Sequence, residues 1–217
     1  MSDRTTQVLV VAKAPEPGRV KTRLGADIGM ARAAEIAAAA LLDTLVAATE
    51  AVGAARCHLS VDGDLDRAVR GGALRAALTG WTLHPQVGAD LGTRLADAHH
   101  RVPGPVVQVG MDTPQLTPAL LHDAAAGLED HDAVLGPATD GGWWVLALRD
   151  PAAASALVGM EMSTSTTYAD TWRALRRDGL RVGATTTLSD VDTAADADLV
   201  AAHGGGRHFT EAWAATR

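Results

Sequence analysis

One cysteine in 217 residues, Cys57, cannot close a disulfide, so no covalent scaffold holds this chain together. Its place inside an apolar run fits a buried, inert thiol better than a nucleophile. No stretch approaches the ~18 uncharged apolar residues that a membrane span requires. The first ten residues, MSDRTTQVLV, carry charge before a short apolar run, which argues for a cytoplasmic protein. Basic residues are outnumbered, 19 Lys and Arg against 26 Asp and Glu, and the formal charge of -7 argues against nucleic acid as a partner. Metal-chelating histidine spacing is also missing: His99 and His100 are adjacent, and the other six are scattered. No G-x-S-x-G elbow and no Cys/His pairing points to acyl transfer. What is abundant is apolar, 47% of residues, enough to bury one sizeable core.

Lysine is the scarcest charge. The 19 basic residues are 17 Arg and two Lys, and both lysines, Lys13 and Lys21, fall within nine residues of each other. A Lys kept where Arg is otherwise used suits a site that needs a compact ammonium rather than a planar fork.

Hydrophobic patterning predicts alternating strands and helices. Gln7 to Ala12 is a β-branched apolar run suited to a strand covered on both faces, followed by a Pro/Gly-rich loop, APEPGRVKTRLGADIG. An Ala/Leu-rich helix is predicted from Met30 to Glu50. Further strands are predicted at Arg56 to Val61, Trp81 to His84, Val106 to Gly110, Ala133 to Gly136, Trp143 to Leu148 and Leu180 to Thr186. Helices are predicted at Leu65 to Leu78, from the GADLG loop to His100, from Thr117, at Thr166 to Arg177 and at Ala194 to His203. The alternation implies a three-layer α/β/α fold around a mainly parallel sheet, with residues 1–203 as a single domain and 204–217 as a tail. Ligands of such a sheet bind beyond the carboxyl ends of its strands.

Those ends carry the candidate chemistry. After the first strand, Lys13, Arg19, Lys21 and Arg23 put four cations into eleven residues, a loop able to hold a polyphosphate. Its spacing is neither that of a P-loop nor that of a dinucleotide fingerprint, and a solvated turn is the plainer alternative. The strand ending at Gly110 delivers Asp112 to a carboxyl edge, where a carboxylate can bind magnesium bridging phosphate oxygens. A second carboxylate follows another strand, Asp192 in Ser189-Asp190-Val191-Asp192-Thr193, where Asp192 or Thr193 would also serve as a helix cap. Asp140-Gly141-Gly142 reads as a hairpin turn, with Trp143 and Trp144 on opposite faces, one for the core and one to wall a pocket. Asp90, Gly92 and Arg94 form a possible contact for base, ribose or phosphate, with a helix cap at Asp90 as the simpler account.

Taken in order, AKAPEPGRVKTRL, DLGTRL, VGMDTPQLTP, DAVLGPATDGGWWVLALR and DVDTAADADL resemble a bacterial glycosyltransferase-like family, also known as radical-SAM/selenodomain-associated transferases, of the nucleotide-diphospho-sugar transferase (GT-A) superfamily. The match runs over about residues 7–202. More distantly, the Lys-Thr-Arg-Leu run and the closing Asp-Val-Asp-Thr are similar to the guanylyltransferase of deazaflavin cofactor synthesis and to sugar nucleotidyltransferases.

The resemblance implies a nucleotide-binding loop of Ala12, Lys13, Gly18, Arg19, Lys21, Thr22 and Arg23, joined by Asp90, Gly92 and Arg94. It implies a magnesium or manganese cofactor on Asp112 and Asp192, and an acceptor loop of Asp140, Gly141, Gly142, Trp143 and Trp144. Catalytic roles fall to Lys21, Arg23, Asp112 and Asp140. Met111 stands where Ser is usual, Trp143-Trp144 replace a tyrosine pair, and Met162-Ser163-Thr164 replace Trp-Ser-Thr; the charged positions are intact and the acceptor pocket is altered. The expected partners are a nucleotide donor and a small-molecule acceptor, with the oligomeric state left open. Nucleotidyl transfer to a phosphorylated acceptor, glycosyl transfer from a nucleotide-diphospho-sugar, and silent nucleotide binding remain the three readings.

Overall fold

The computed structural model describes residues 5–216; the charged start at residues 1–4 and residue 217 lie outside them. Seven strands form one sheet: β1 (Gln7–Lys13), β2 (Cys57–Asp62), β3 (Thr82–Pro85), β4 (Val106–Val109), β5 (Ala133–Pro137), β6 (Trp143–Leu148) and β7 (Val182–Ala184). Their order is β3-β2-β1-β4-β6-β5-β7. β6 runs antiparallel to β4 and β5, and the other pairs are parallel. β1 is buried at every position between its two ends, as its unbroken apolar run requires of a strand covered on both faces.

Helices α2 (Met30–Val52), α3 (Gly71–Ala77) and α5 (Pro118–Ala126) cover one face. Leu41, Leu45, Leu74 and Leu121 pack there on Val8, Val10 and Leu59. The other face carries α4 (Leu91–His100), α6 (Thr167–Arg177) and a 3-10 helix at Pro151–Leu157. From these, Leu95, Leu157 and Leu175 meet Leu9, Val11 and Leu146. The fold is thus three-layered with a mainly parallel sheet. A third cluster lies at the amino-terminal half of α2, where α1 (Thr22–Ile28), α7 (Ala194–His203) and α8 (Arg207–Ala214) enclose Leu24, Ile36, Val191, Val200 and Phe209.

Four local expectations need correction. The Pro/Gly-rich loop contains α1, masked in the sequence by Gly25, whose missing side chain leaves room for Met30. The helix expected from Leu65 begins only at Gly71, because Arg70 takes a left-handed backbone (φ 56°) and the Leu65 carbonyl presses where a Gly71 Cβ would stand. The strand expected over 180–186 pairs only at Val182–Ala184, since β7 is an edge strand bonded to β5 alone. Residues 207–214, read as part of a tail, form α8 with Phe209 and Trp213 buried. No helix among the described residues is long and apolar enough to cross a membrane.

Candidate functional site

Strands fan out in opposite directions from β1 and β4, and a crevice opens beyond their carboxyl ends, as the rule for such sheets requires. This cleft measures about 560 Å³ and is lined by Ala12, Lys13, Arg19, Lys21, Thr22, Arg23, Gln86, Leu91, Arg94, Gly110, Met111, Asp112, Ser163 and Asp192 among others. A concavity of about 700 Å³ at the opposite edge, by Gln7, Arg56, Gly104 and Asp150, brings no comparable set of converging charges.

The chain leaves β1 through two turns before α1. Glu16 is buried there, and Arg19 and Arg67 close on its carboxylate at 3.4 and 3.6 Å. Arg19 also reaches Asp62 at the end of β2, which Arg94 approaches at 3.6 Å. Lys13 is exposed, and among the described residues it forms no ion pair. Lys21 occupies the position before α1 in a left-handed backbone, φ 47° and ψ 46°, and its side chain does not cap the helix. Its ammonium instead donates to Asp112 Oδ2 at 3.0 Å and to Asp192 Oδ1 at 2.8 Å. Arg23 donates to the other Asp192 oxygen at 3.1 Å.

Backbone and side-chain bonds hold the two acidic loops against each other. Val191 N donates to the Asp112 carbonyl at 3.1 Å, Thr113 Oγ1 to Asp190 Oδ1 at 2.8 Å, and Gln115 Nε2 to the Ser189 carbonyl at 2.9 Å. Val191 is buried, so its neighbours Asp190 and Asp192 emerge on either side of an anchored residue. The helix-cap alternative for this segment falls to Thr193, which forms a reciprocal capping box with Asp196 and leaves the Asp192 carboxylate to Lys21 and Arg23.

The electrostatics follow from this packing. Burial alone would lower the Lys21 pKa, but Asp112 and Asp192 outweigh it and raise the ammonium to about 12. Burial likewise acts to raise Asp192, and the opposing charges of Lys21 and Arg23 hold it below the usual carboxylate range. Asp190 goes the other way: burial first, then the charge of Asp112, push it up to about 7. Sequence reasoning passed over Asp190 as a distinct group, although the Asp-Val-Asp alternation around an apolar residue signals it. It also missed Glu16, Asp62 and Gln86, which join the site only through the tertiary fold, and it met Ser163 only within the altered acceptor motif.

Other expected site residues flank the cleft without lining it. Asp90 caps α4, accepting from Thr93 N at 2.8 Å and Thr93 Oγ1 at 3.0 Å, and a Gly92 Cβ would lie 2.1 Å from the Leu157 carbonyl oxygen. Gly18 takes φ 79° in the turn before Arg19. Asp140 is exposed and accepts from Gly142 N at 2.8 Å within the β5–β6 hairpin. Gly141 has φ 92°, and a Cβ there would meet Ser165 O at 2.1 Å. Trp144 is core, donating to the Thr186 carbonyl, while the half-buried Trp143 donates to Thr171 Oγ1. None of Gly18, Asp90, Gly92 or residues 140–144 is among those lining the cleft.

Could a hard divalent cation sit here? The donors fit in kind, since such ions take carboxylate oxygens from one or two residues and fill their other positions with phosphate and water. Asp112 and Asp192 share one ammonium, so their oxygens are separated by no more than two hydrogen bonds laid end to end. No cluster of three or more acidic, His or Cys ligands occurs among the described residues, so phosphate and water would complete the shell.

The whole architecture is shared with solved structures. A protein from Desulfovibrio desulfuricans G20, provisionally described as a nucleotide-diphospho-sugar transferase, superposes with a TM-score of 0.82 at 28% identity, over 96% of this chain and 92% of that one. CMP:2-keto-3-deoxy-manno-octonic acid synthetase, solved with CTP, gives 0.57 at 14% identity over 90% and 96%. Rv0371c of Mycobacterium tuberculosis H37Rv, solved with manganese, gives 0.50 at 20% identity over 90% and 98%. The fold is therefore that of nucleotide-diphospho-sugar transferases and nucleotidyltransferases. No curated protein matches the sequence. The sequence pattern of DUF2064, described as uncharacterised proteins conserved in bacteria, covers residues 44–164, more than half of the length, and the chain belongs to that family.

Proposed function

We propose that the protein is a magnesium-dependent nucleotidyltransferase that moves a nucleotidyl group from a nucleoside triphosphate to a small phosphorylated acceptor. One observation carries this reading: the basic loop and both acidic loops meet on a single ammonium, that of Lys21, inside a cleft of nucleotide size. The likeness to nucleotide-utilising transferases supports it, including one solved with CTP and one with manganese.

In the proposed reaction an anionic acceptor oxygen attacks the α-phosphorus, a new P–O bond forms, and the bond to the bridging oxygen breaks to release pyrophosphate. Asp112 and Asp192 would hold magnesium or manganese, which when bound supplies Lewis-acid neutralisation of phosphate oxygens. Lys21 and Arg23 would offer positive charge where negative charge grows, and Lys13, exposed and without an ion pair among the described residues, is available to the outer phosphates. Arg19 and Arg94 are held by Glu16, Asp62 and the Gly88 carbonyl, which sets their positions before any ligand arrives. A phosphate acceptor needs no general base.

Glycosyl transfer from a nucleotide-diphospho-sugar is the second reading, favoured by the description of the Desulfovibrio relative. A hydroxyl acceptor would need a base, and Asp140, the sequence candidate, is tied to its own turn outside the cleft lining. Thermal shifts with nucleoside triphosphates and nucleotide sugars, with and without magnesium, on the wild type and Asp112→Ala, separate the readings. Magnesium-linked stabilisation by triphosphates, lost in Asp112→Ala and accompanied by acceptor-dependent pyrophosphate release, is expected. Stabilisation by nucleotide sugars alone selects glycosyl transfer, binding without turnover of any donor selects a silent module, and no stabilisation by either class rejects all three.

A further inference from the structure

Lys21 is the most enclosed cation of the cleft, 8% exposed at its side chain against 51% for Arg19 and 74% for Arg23. Two of its three ammonium hydrogens are committed to the carboxylates that would ligate a metal. With Arg23 on the remaining Asp192 oxygen, two positive charges balance two negative ones. A divalent ion arriving alone meets a quartet whose own charges cancel and an ammonium already between its ligands, where screening by salt is weak. The left-handed backbone of Lys21, uncommon for a residue with a side chain, is the kind of strain that persists at ligand clamps.

We infer that Lys21 is a tethered stand-in for the divalent ion, a role that rests on the proposed metal and nucleotide site. In the nucleotide-free protein it occupies the carboxylate pair and keeps out metal that arrives by itself. A polyphosphate draws the ammonium onto its own oxygens and opens the pair, so metal and nucleotide enter as one unit. Each then strengthens the binding of the other, by the reciprocity that linkage demands.

Manganese alone, without nucleotide, is the probe, with free Mn2+ followed by electron paramagnetic resonance on the full chain. Lys21→Met removes the charge and keeps an unbranched side chain; it should bind Mn2+ at least about tenfold more tightly than wild type, about 1.4 kcal/mol. Adding Asp112→Ala to that variant should abolish the gain. In the otherwise wild-type protein Asp112→Ala should leave Mn2+ binding unchanged, because the carboxylates are already taken; this arm needs no Lys21 variant to fold. Unchanged affinity in Lys21→Met, or a tenfold loss in the single Asp112→Ala, overturns the inference. Such a result beside intact magnesium-linked stabilisation by triphosphates strikes the stand-in role only, whereas absence of that stabilisation strikes the proposed function.

Discussion

At the scale of single residues, the site depends on a division of labour between neighbours. Thr193 satisfies the amino terminus of α7, so Asp192 is free to face Lys21. Thr193→Ala removes half of a capping box and should cost about 1 kcal/mol of stability, read by urea denaturation. An unchanged midpoint would show that Asp196 alone suffices. Cys57 illustrates a residue whose role was legible from its surroundings in sequence: it is fully buried, hydrogen-bonded to the Ala48 and Gly53 carbonyls, and burial pushes its pKa up to about 12. Asp192 was legible as a candidate but not as the free member of the pair, because a cap and a ligand demand the same residue type at the same turn.

At the scale of elements, α4 shows both outcomes. Its cap at Asp90 and its end at His100 follow from the sequence. What it packs against does not: Gly92 lies against the 3-10 helix at Pro151–Leu157, an element with no clear periodicity. Gly92→Ala should cost about 1–3 kcal/mol, since the clash is with backbone that cannot swing aside. A melting temperature equal to wild type would refute the close packing. The same helix buries His99, which faces Gln108 Oε1 at 3.4 Å while its Nδ1 has no hydrogen-bond partner among the described residues.

Burial lowers the His99 pKa from 6.5 to about 4. The folded value is the depressed one, so the unfolded chain takes up the proton first. The contribution to stability is full above pH 6.5 and shrinks by about 1.4 kcal/mol per pH unit down to about pH 4. Asp190, raised rather than lowered, slopes the opposite way, so the histidine is read as a difference. The stability gap between wild type and His99→Leu should shift by that slope in favour of the variant as pH falls below 6.5. Urea midpoints whose gap is independent of pH would refute it.

At the scale of the whole molecule, α8 closes the third cluster. Its own cap position is Gly206, which has no side chain, and Asp43 of α2 supplies the missing acceptor, taking the His208 and Phe209 amides at 3.0 and 2.8 Å. A Cβ at Gly206 would lie 2.3 Å from Asp43 Cγ, so glycine and distant carboxylate form one device. Asp43→Ala orphans two amides and should cost about 1–3 kcal/mol, measured by urea denaturation. Loss of less than about 0.5 kcal/mol, the scale of an ordinary surface change, would show that water replaces the carboxylate.

The sequence by itself determined the fold class, the succession of strands and most helices along the chain, and the two loops where cation and carboxylate gather. Those features are written in local periodicity and in residue types that only certain turns accept. Tertiary structure alone decided which aspartates share an ammonium, that Asp90 and Asp140 serve their own turns, and that the last residues form a helix. The physical reason is separation along the chain. Lys21, Asp112 and Asp192, like Asp43 and α8, are joined by bonds across 91 to 171 positions, and no local pattern encodes a partner that far away.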